Sequence, residues 1–164
     1  MAASTSTRPE RTDAVTVIFY AIASIVIVGV ATWLRVVQTF RADGIAWVVP
    51  IDEMPIEGTA DSGGTAIRGI AQEVLIVAPD VNAVSIAAIV AAIAVWALSA
   101  LLIIGCVLTL AANFLRARFF VAANVRALVA TGWTLVAAPV VILLLETMGR
   151  NGVLSAVGIG AGEP

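Results

Sequence analysis

The side chains able to do chemistry are few and scattered. Carboxylates gather at one place, Asp52, Glu53, Glu57 and Asp61, and oxygen ligands of that kind suit a hard cation such as calcium. Their spacing matches no standard calcium loop, and a solvated acidic loop is the simpler reading. The chain has no histidine, which removes His-based triads, His metal sites and imidazole proton relays. All nine basic residues are arginine, so there is no lysine for a Schiff base or a phosphate-binding loop. Cys106 is the single cysteine. It lies in an apolar run with no base beside it, where a thiol behaves as a small apolar side chain, and it has no partner for an intrachain disulfide. Glu146, Asn113 and Asn124 are the remaining functional candidates. Ionisable groups deep in lipid mark function, but Glu146 and Arg126 flank an apolar run, where snorkelling suffices. The expectation is a protein that is not an enzyme and holds no cofactor or metal.

The composition is that of a membrane protein. Of 164 residues, 61% are hydrophobic and 12% charged, against roughly 45–50% and about 25% in globular domains. A soluble fold of this length has nowhere to hide that much apolar surface, so the bilayer must act as the solvent. The net charge of −2 leaves no basic face for nucleic acid. The Ala-, Val- and Arg-rich, Lys-free composition reads as the product of a GC-rich bacterial genome.

Residues 1–13 are polar and aperiodic and read as a flexible cytoplasmic tail. Ala14 to Leu34 are 21 residues without a charge, about 30 Å as a helix, which matches the hydrocarbon core. Eleven of them are Val, Ile, Phe or Leu, and in lipid their β-branched character yields to the need to satisfy the backbone internally. Arg8 and Arg11 with Gly29-Val30-Ala31 also resemble a signal peptide, but the apolar run exceeds a usual signal core, and a retained anchor helix fits better.

Residues 35–80 form a 46-residue connection, far longer than an ordinary loop. Seven acids oppose three arginines, and prolines and glycines punctuate it. Ile45–Ile51 and Ile67–Val77 look structured. In the second, Ile67, Ile70, Val74 and Leu75 fit helical spacing while Val74–Val77 reads as a short strand, so periodicity leaves both open. A small acidic cap is the resulting expectation. Residues 81–115 carry no charge. As a helix they exceed the hydrocarbon core by about 20 Å, so the surplus must tilt, kink or project. Ala87, Ala88, Ala91 and Ala92 put small residues at spacings that let helices approach in lipid, and Trp96, read as near the middle of this span, is expected at a helix–helix contact.

A third span covers 127–147, with an upstream start within Val121–Asn124 possible by pattern. Pro139 inside it predicts a kink near Thr134–Leu135, and 148–164 read as a Gly-rich tail. The fold class is therefore all-α transmembrane, a three-helix membrane bundle with a 46-residue extracytoplasmic loop or small cap. Arg116, Arg118 and Arg126 crowd the 116–126 turn without an acid. The positive-inside tendency places that turn and the N-terminus in the cytoplasm, with 35–80 and the C-terminus outside the cytoplasmic membrane. Arg35 and Arg41 oppose this assignment. Trp33 and Phe119-Phe120 suit interfacial anchoring.

The stretch Leu115-Arg116-Ala117-Arg118-Phe119-Phe120-Val121-Ala122-Ala123-Asn124-Val125-Arg126-Ala127-Leu128-Val129-Ala130-Thr131-Gly132 resembles the signature of a bacterial membrane family known as domain of unknown function 2975. That family shows a basic turn, an aromatic, Asn-Val-Arg, a leucine and a glycine entering the next helix. Its layout of a first span, a long polar outer loop, a second span, a basic turn and a third span is also similar. Two departures stand out. Arg118-Phe119-Phe120-Val121-Ala122 replaces a Gly-x-Pro-Phe and Thr-Pro stretch, losing a capping hydroxyl and the first-turn proline. The family's usual fourth span has no counterpart here, which leaves truncation or divergence open. The resemblance implies no catalytic residue and no defined function.

Three classes of function remain. The first is an accessory or assembly subunit, or a homo-oligomer, acting through helix contacts with other membrane proteins or itself. The second is a sensor or regulator using 36–80. The third is an oligomeric pore, which needs a polar stripe that the helices do not show.

Overall fold

The computed structural model describes residues 8–59, 66–116, 118 and 121–158. Three long helices are interrupted by one small antiparallel sheet: α1 (Arg8–Thr39), β1 (Phe40–Arg41), β2 (Gly44–Thr59), β3 (Ala66–Ala78), α2 (Ala83–Leu115) and α3 (Ala122–Ala156). All three helices contain spans long and apolar enough to cross a membrane, Thr16–Thr39, Ala83–Leu115 and Ala122–Ala156. Such a set marks a multi-pass membrane protein. α2 is the central helix, packed extensively on α3 and less so on α1. Large side chains such as Phe19, Ile27, Trp133, Val136 and Leu143 point away from the protein, as lipid-facing positions do.

The all-α expectation needs correcting in the connection, which is a sheet of order β1-β2-β3. The Ile67–Val77 stretch that fitted two periods lies within β3, because Ala78 back to Val74 pair residue by residue with Ile45 to Val49. Strand pairing, which local spacing does not encode, decides between the two. The β1–β2 turn needs glycine at Gly44, where φ is +141° and a Cβ would stand 2.5 Å from the Ala78 carbonyl oxygen. The register shifts between Pro50 and Met54, and the extra residues lie on β2, as at a bulge.

The helices also outrun their charge-bounded limits. α1 begins at Arg8 within the expected tail and passes Arg35 to Thr39. α3 begins at Ala122 and continues to Ala156, into the first part of the expected Gly-rich tail. It runs past Pro139 without a break in the helix, although Leu135 there loses its intrahelical donor.

The core sits at the sheet end of the bundle. Ile45, Ala78, Val81, Ile89, Ile93 and Val153 form it, with Val36, Phe40, Trp47 and Ile86 packed against them. α1, the sheet base, the start of α2 and the end of α3 all meet there. From this base the β2–β3 ribbon extends, roughly 40 Å at about 3.3 Å per residue.

Candidate functional site

Two glycines let α3 reach α2 at the sheet end. Gly149 and Gly152 are buried; a Cβ on Gly149 would come 2.5 Å from Ile89 Cγ1, and one on Gly152 would overlap the Ser85 hydroxyl. Ser85 is itself buried, and its Oγ donates to the Met148 carbonyl at 3.5 Å. Asn82 caps α2, its Oδ1 accepting from the Ser85 N–H at 2.9 Å. On α2 the buried stripe is Ser85, Ala88, Ile89, Ala92 and Ile93. Ala88 and Ala92 are therefore interface residues, whereas Ala87 is exposed and Ala91 half-buried, because the contact stripe follows the four-residue ridges Ala88–Ala92 and Ser85–Ile89–Ile93.

The charged groups nearest this junction pair with each other. The Arg35 guanidinium on α1 donates to the Glu146 carboxylate on α3 in an ion pair, the two side chains being 38% and 31% exposed. Glu146 thus contacts a group that the sequence placed in a different region, and the two charges define one level in the bundle. Ile89 and Ser85 lie against Gly149 and Gly152, on the sheet side of Glu146. The start of α2 therefore lies on the sheet side of the ion-pair level. The 23 residues from Ile93 to Leu115 then span about 34 Å, close to the hydrocarbon thickness. Trp96 is half-buried and lies near the middle of α2, Ala83–Leu115.

At the opposite end Asn113 and Asn124 come together. Asn113 Nδ2 donates to Asn124 Oδ1 at 2.7 Å, and Asn124 Nδ2 donates to the Arg118 carbonyl at 3.1 Å. The Arg116 and Arg118 N–H groups donate to the Asn113 carbonyl at 3.1 and 2.9 Å. Val121, the residue before α3, gives no side-chain cap, so this amide pair closes the turn where a capping hydroxyl is missing. Arg116, Arg118 and Arg126 are exposed around it; Phe119-Phe120 lie outside the described residues.

Of the acidic group, Asp61 lies outside the described residues, as do the side chains of Asp52, Glu53 and Glu57. The backbone puts Asp52 and Glu53 in the bulge and Glu57 opposite Arg68. Among the described residues no group of three His, Cys, Asp or Glu could hold a metal ion. Cys106 is half-buried in α2. Thr32, Thr109, Thr131, Thr134 and Thr147 each donate their hydroxyl to a carbonyl four residues back in their own helix. An open groove of about 440 Å³ between α1 and α2 is lined by Thr32, Val36, Phe40, Val90, Ile93 and Ala94. With the Thr32 hydroxyl turned onto Val28, it presents no polar group to orient a reactant.

The feature that the sequence reading missed is the ribbon. Direct partners in an antiparallel pair share a face. Ile45, Trp47, Val49, Val74, Ile76 and Ala78 therefore lie on one face, and Ala46, Val48, Leu75 and Val77 on the other. Val48, Ile70, Val74 and Leu75 are exposed. An antiparallel pair facing water on one side shows alternation of apolar and polar residues, and this one does not. The available signal was the absence of alternation in Val74–Val77.

No family model, curated protein or solved structure matches the chain; the resemblance described above is carried by residues 115–132 and the layout of spans alone.

Proposed function

We propose that this chain is a non-catalytic subunit of a larger membrane assembly, an accessory or assembly factor acting through contacts with other membrane proteins or with further copies of itself. One observation carries the reading. A ribbon with aliphatic side chains on both faces rises from a small core, and a two-stranded hairpin of this kind is marginal in water by itself. Exposed apolar patches of that sort mark interaction surfaces.

The seat is the cytoplasmic membrane of a bacterium, with the arginine-rich 116–126 turn inside and the ribbon outside. Arg35, Arg41 and Arg150 lie toward the ribbon end and oppose the positive-inside bias. The likeness to domain of unknown function 2975 agrees with the layout and adds no activity.

A sensor using 36–80 is the second reading, favoured by the same structured ribbon. A pore fits less well, because the hydroxyls of Thr32, Thr109, Thr131, Thr134 and Thr147 bond to their own helices. The deciding experiment is purification of the tagged chain in mild detergent followed by mass spectrometry. Stoichiometric membrane subunits are expected; a chain that comes alone or only with itself overturns the accessory reading and leaves the sensor or the homo-oligomer.

A further inference from the structure

The two ends of the helix bundle differ in charge. At the sheet end Arg35 is matched by Glu146, and Arg41 and Arg150 share that end with Asp43 and Asp80. At the opposite end the α2–α3 turn carries Arg116, Arg118 and Arg126, all three exposed. No carboxylate occurs from residue 81 to residue 145, and none of the three arginines forms an ion pair with a described residue. The start of α1, at the same end of the bundle, adds no net charge, because Glu10 and Asp13 offset Arg8 and Arg11.

The turn is also held in shape. The Asn113 carbonyl accepts from the Arg116 and Arg118 N–H groups, and the Arg118 carbonyl accepts from the Asn124 amide. The first turn of α3 has no acid, so the positive end of that helix adds to the arginine charge rather than offsetting it. Arg126 stands one turn into α3, and its Cα–Cβ bond tilts back toward that end.

The surroundings decide what such a patch takes. Leu115, Val125, Leu128 and Val129 are exposed beside it, on helices long and apolar enough to cross a membrane. Fixed cations bordering lipid-facing apolar side chains complement a molecule with a phosphate at one end and acyl chains at the other. A second copy docking turn to turn would set its own three arginines against these. With no carboxylate in the turn, the ammonium of a zwitterionic headgroup has no partner there.

We propose that the α2–α3 turn is a binding site for an anionic phospholipid of the leaflet it borders. The headgroup phosphate lies among Arg116, Arg118 and Arg126, and the acyl chains run along Val125, Leu128 and Val129. This goes beyond the accessory-subunit reading and does not depend on it.

The test uses the full chain in neutral detergent micelles, titrated with phosphatidylglycerol or, separately, phosphatidylcholine, with bound lipid counted by native mass spectrometry. Phosphatidylglycerol is expected to bind saturably, about tenfold more tightly than phosphatidylcholine, and to resist displacement by excess inorganic phosphate. Arg118→Gln with Arg126→Gln is expected to weaken it about tenfold or more, whereas Arg41→Gln with Arg150→Gln, at the sheet end, leaves it unchanged. Ala122→Glu separates loss of the site from loss of the fold. A glutamate in the first turn of α3, four residues before Arg126, favours the helix while neutralising the patch. The thermal midpoint without lipid is therefore expected to hold or rise while phosphatidylglycerol is lost. Equal retention of the two lipids, displacement by inorganic phosphate, or wild-type retention in either turn variant overturns the proposal. So does a loss in the sheet-end variant as large as that in the turn variant.

Discussion

Arg35 and Glu146 each sit close enough to a span end to reach water alone, yet they are joined, and their partial exposure sets what that is worth. An exposed pair contributes up to about 1 kcal/mol, and breaking a buried one costs about 3–5 kcal/mol. Between those limits, Arg35→Ala and Glu146→Ala are each expected to lower the unfolding midpoint in detergent. A double-mutant cycle should return a coupling of about 1–2 kcal/mol. Strict additivity would mean that each charge is solvated by headgroups and the pair holds nothing. The sequence could not disclose this contact. The partners are 111 residues apart, and each, alone, looks like an ordinary charge closing an apolar run. Asn113 and Asn124 were visible as polar groups near the membrane, but only the turn geometry turns them into a clasp.

At the scale of the elements, the α2–α3 contact depends on two missing side chains. Gly149 and Gly152 face Ile89 and Ser85 with no room for a Cβ, whereas Gly29, Gly105 and Gly132 have nothing within 4 Å of one. Gly152→Val is therefore expected to destabilise the detergent-solubilised protein by about 1–3 kcal/mol or more, read by thermal or denaturant unfolding. Gly105→Ala and Gly132→Ala should be neutral or slightly stabilising, since alanine favours helix. Equal effects at both kinds of site would refute close packing at Gly152. These elements were legible to different degrees. The spans announced themselves because charge-free runs of 19 residues or more leave few alternatives to a membrane helix. The end of α3 did not, because glycines that read as a tail are the residues on which a helix interface closes. β3 did not, because its register is set by residues on another strand.

For the whole molecule, orientation hangs on one cluster. Replacing Arg116, Arg118 and Arg126 with Ala should give mixed or inverted insertion, read by reporters placed at the N-terminus and at the ribbon tip. Unchanged orientation would sink the charge argument. On the sheet side of the ion pair, the end of α3 and the start of α2 meet the ribbon base.

That junction carries a consequence in time. A chain made from its N-terminus presents Arg35 long before Glu146, and 111 residues at about 5–20 residues per second is a wait of roughly 5–20 seconds. During that interval the first helix stands in the membrane with its arginine unmatched and the core without Val153. The element synthesised first is thus the last to be secured, and until α3 arrives the newborn chain offers its unfinished face to whatever else occupies the bilayer.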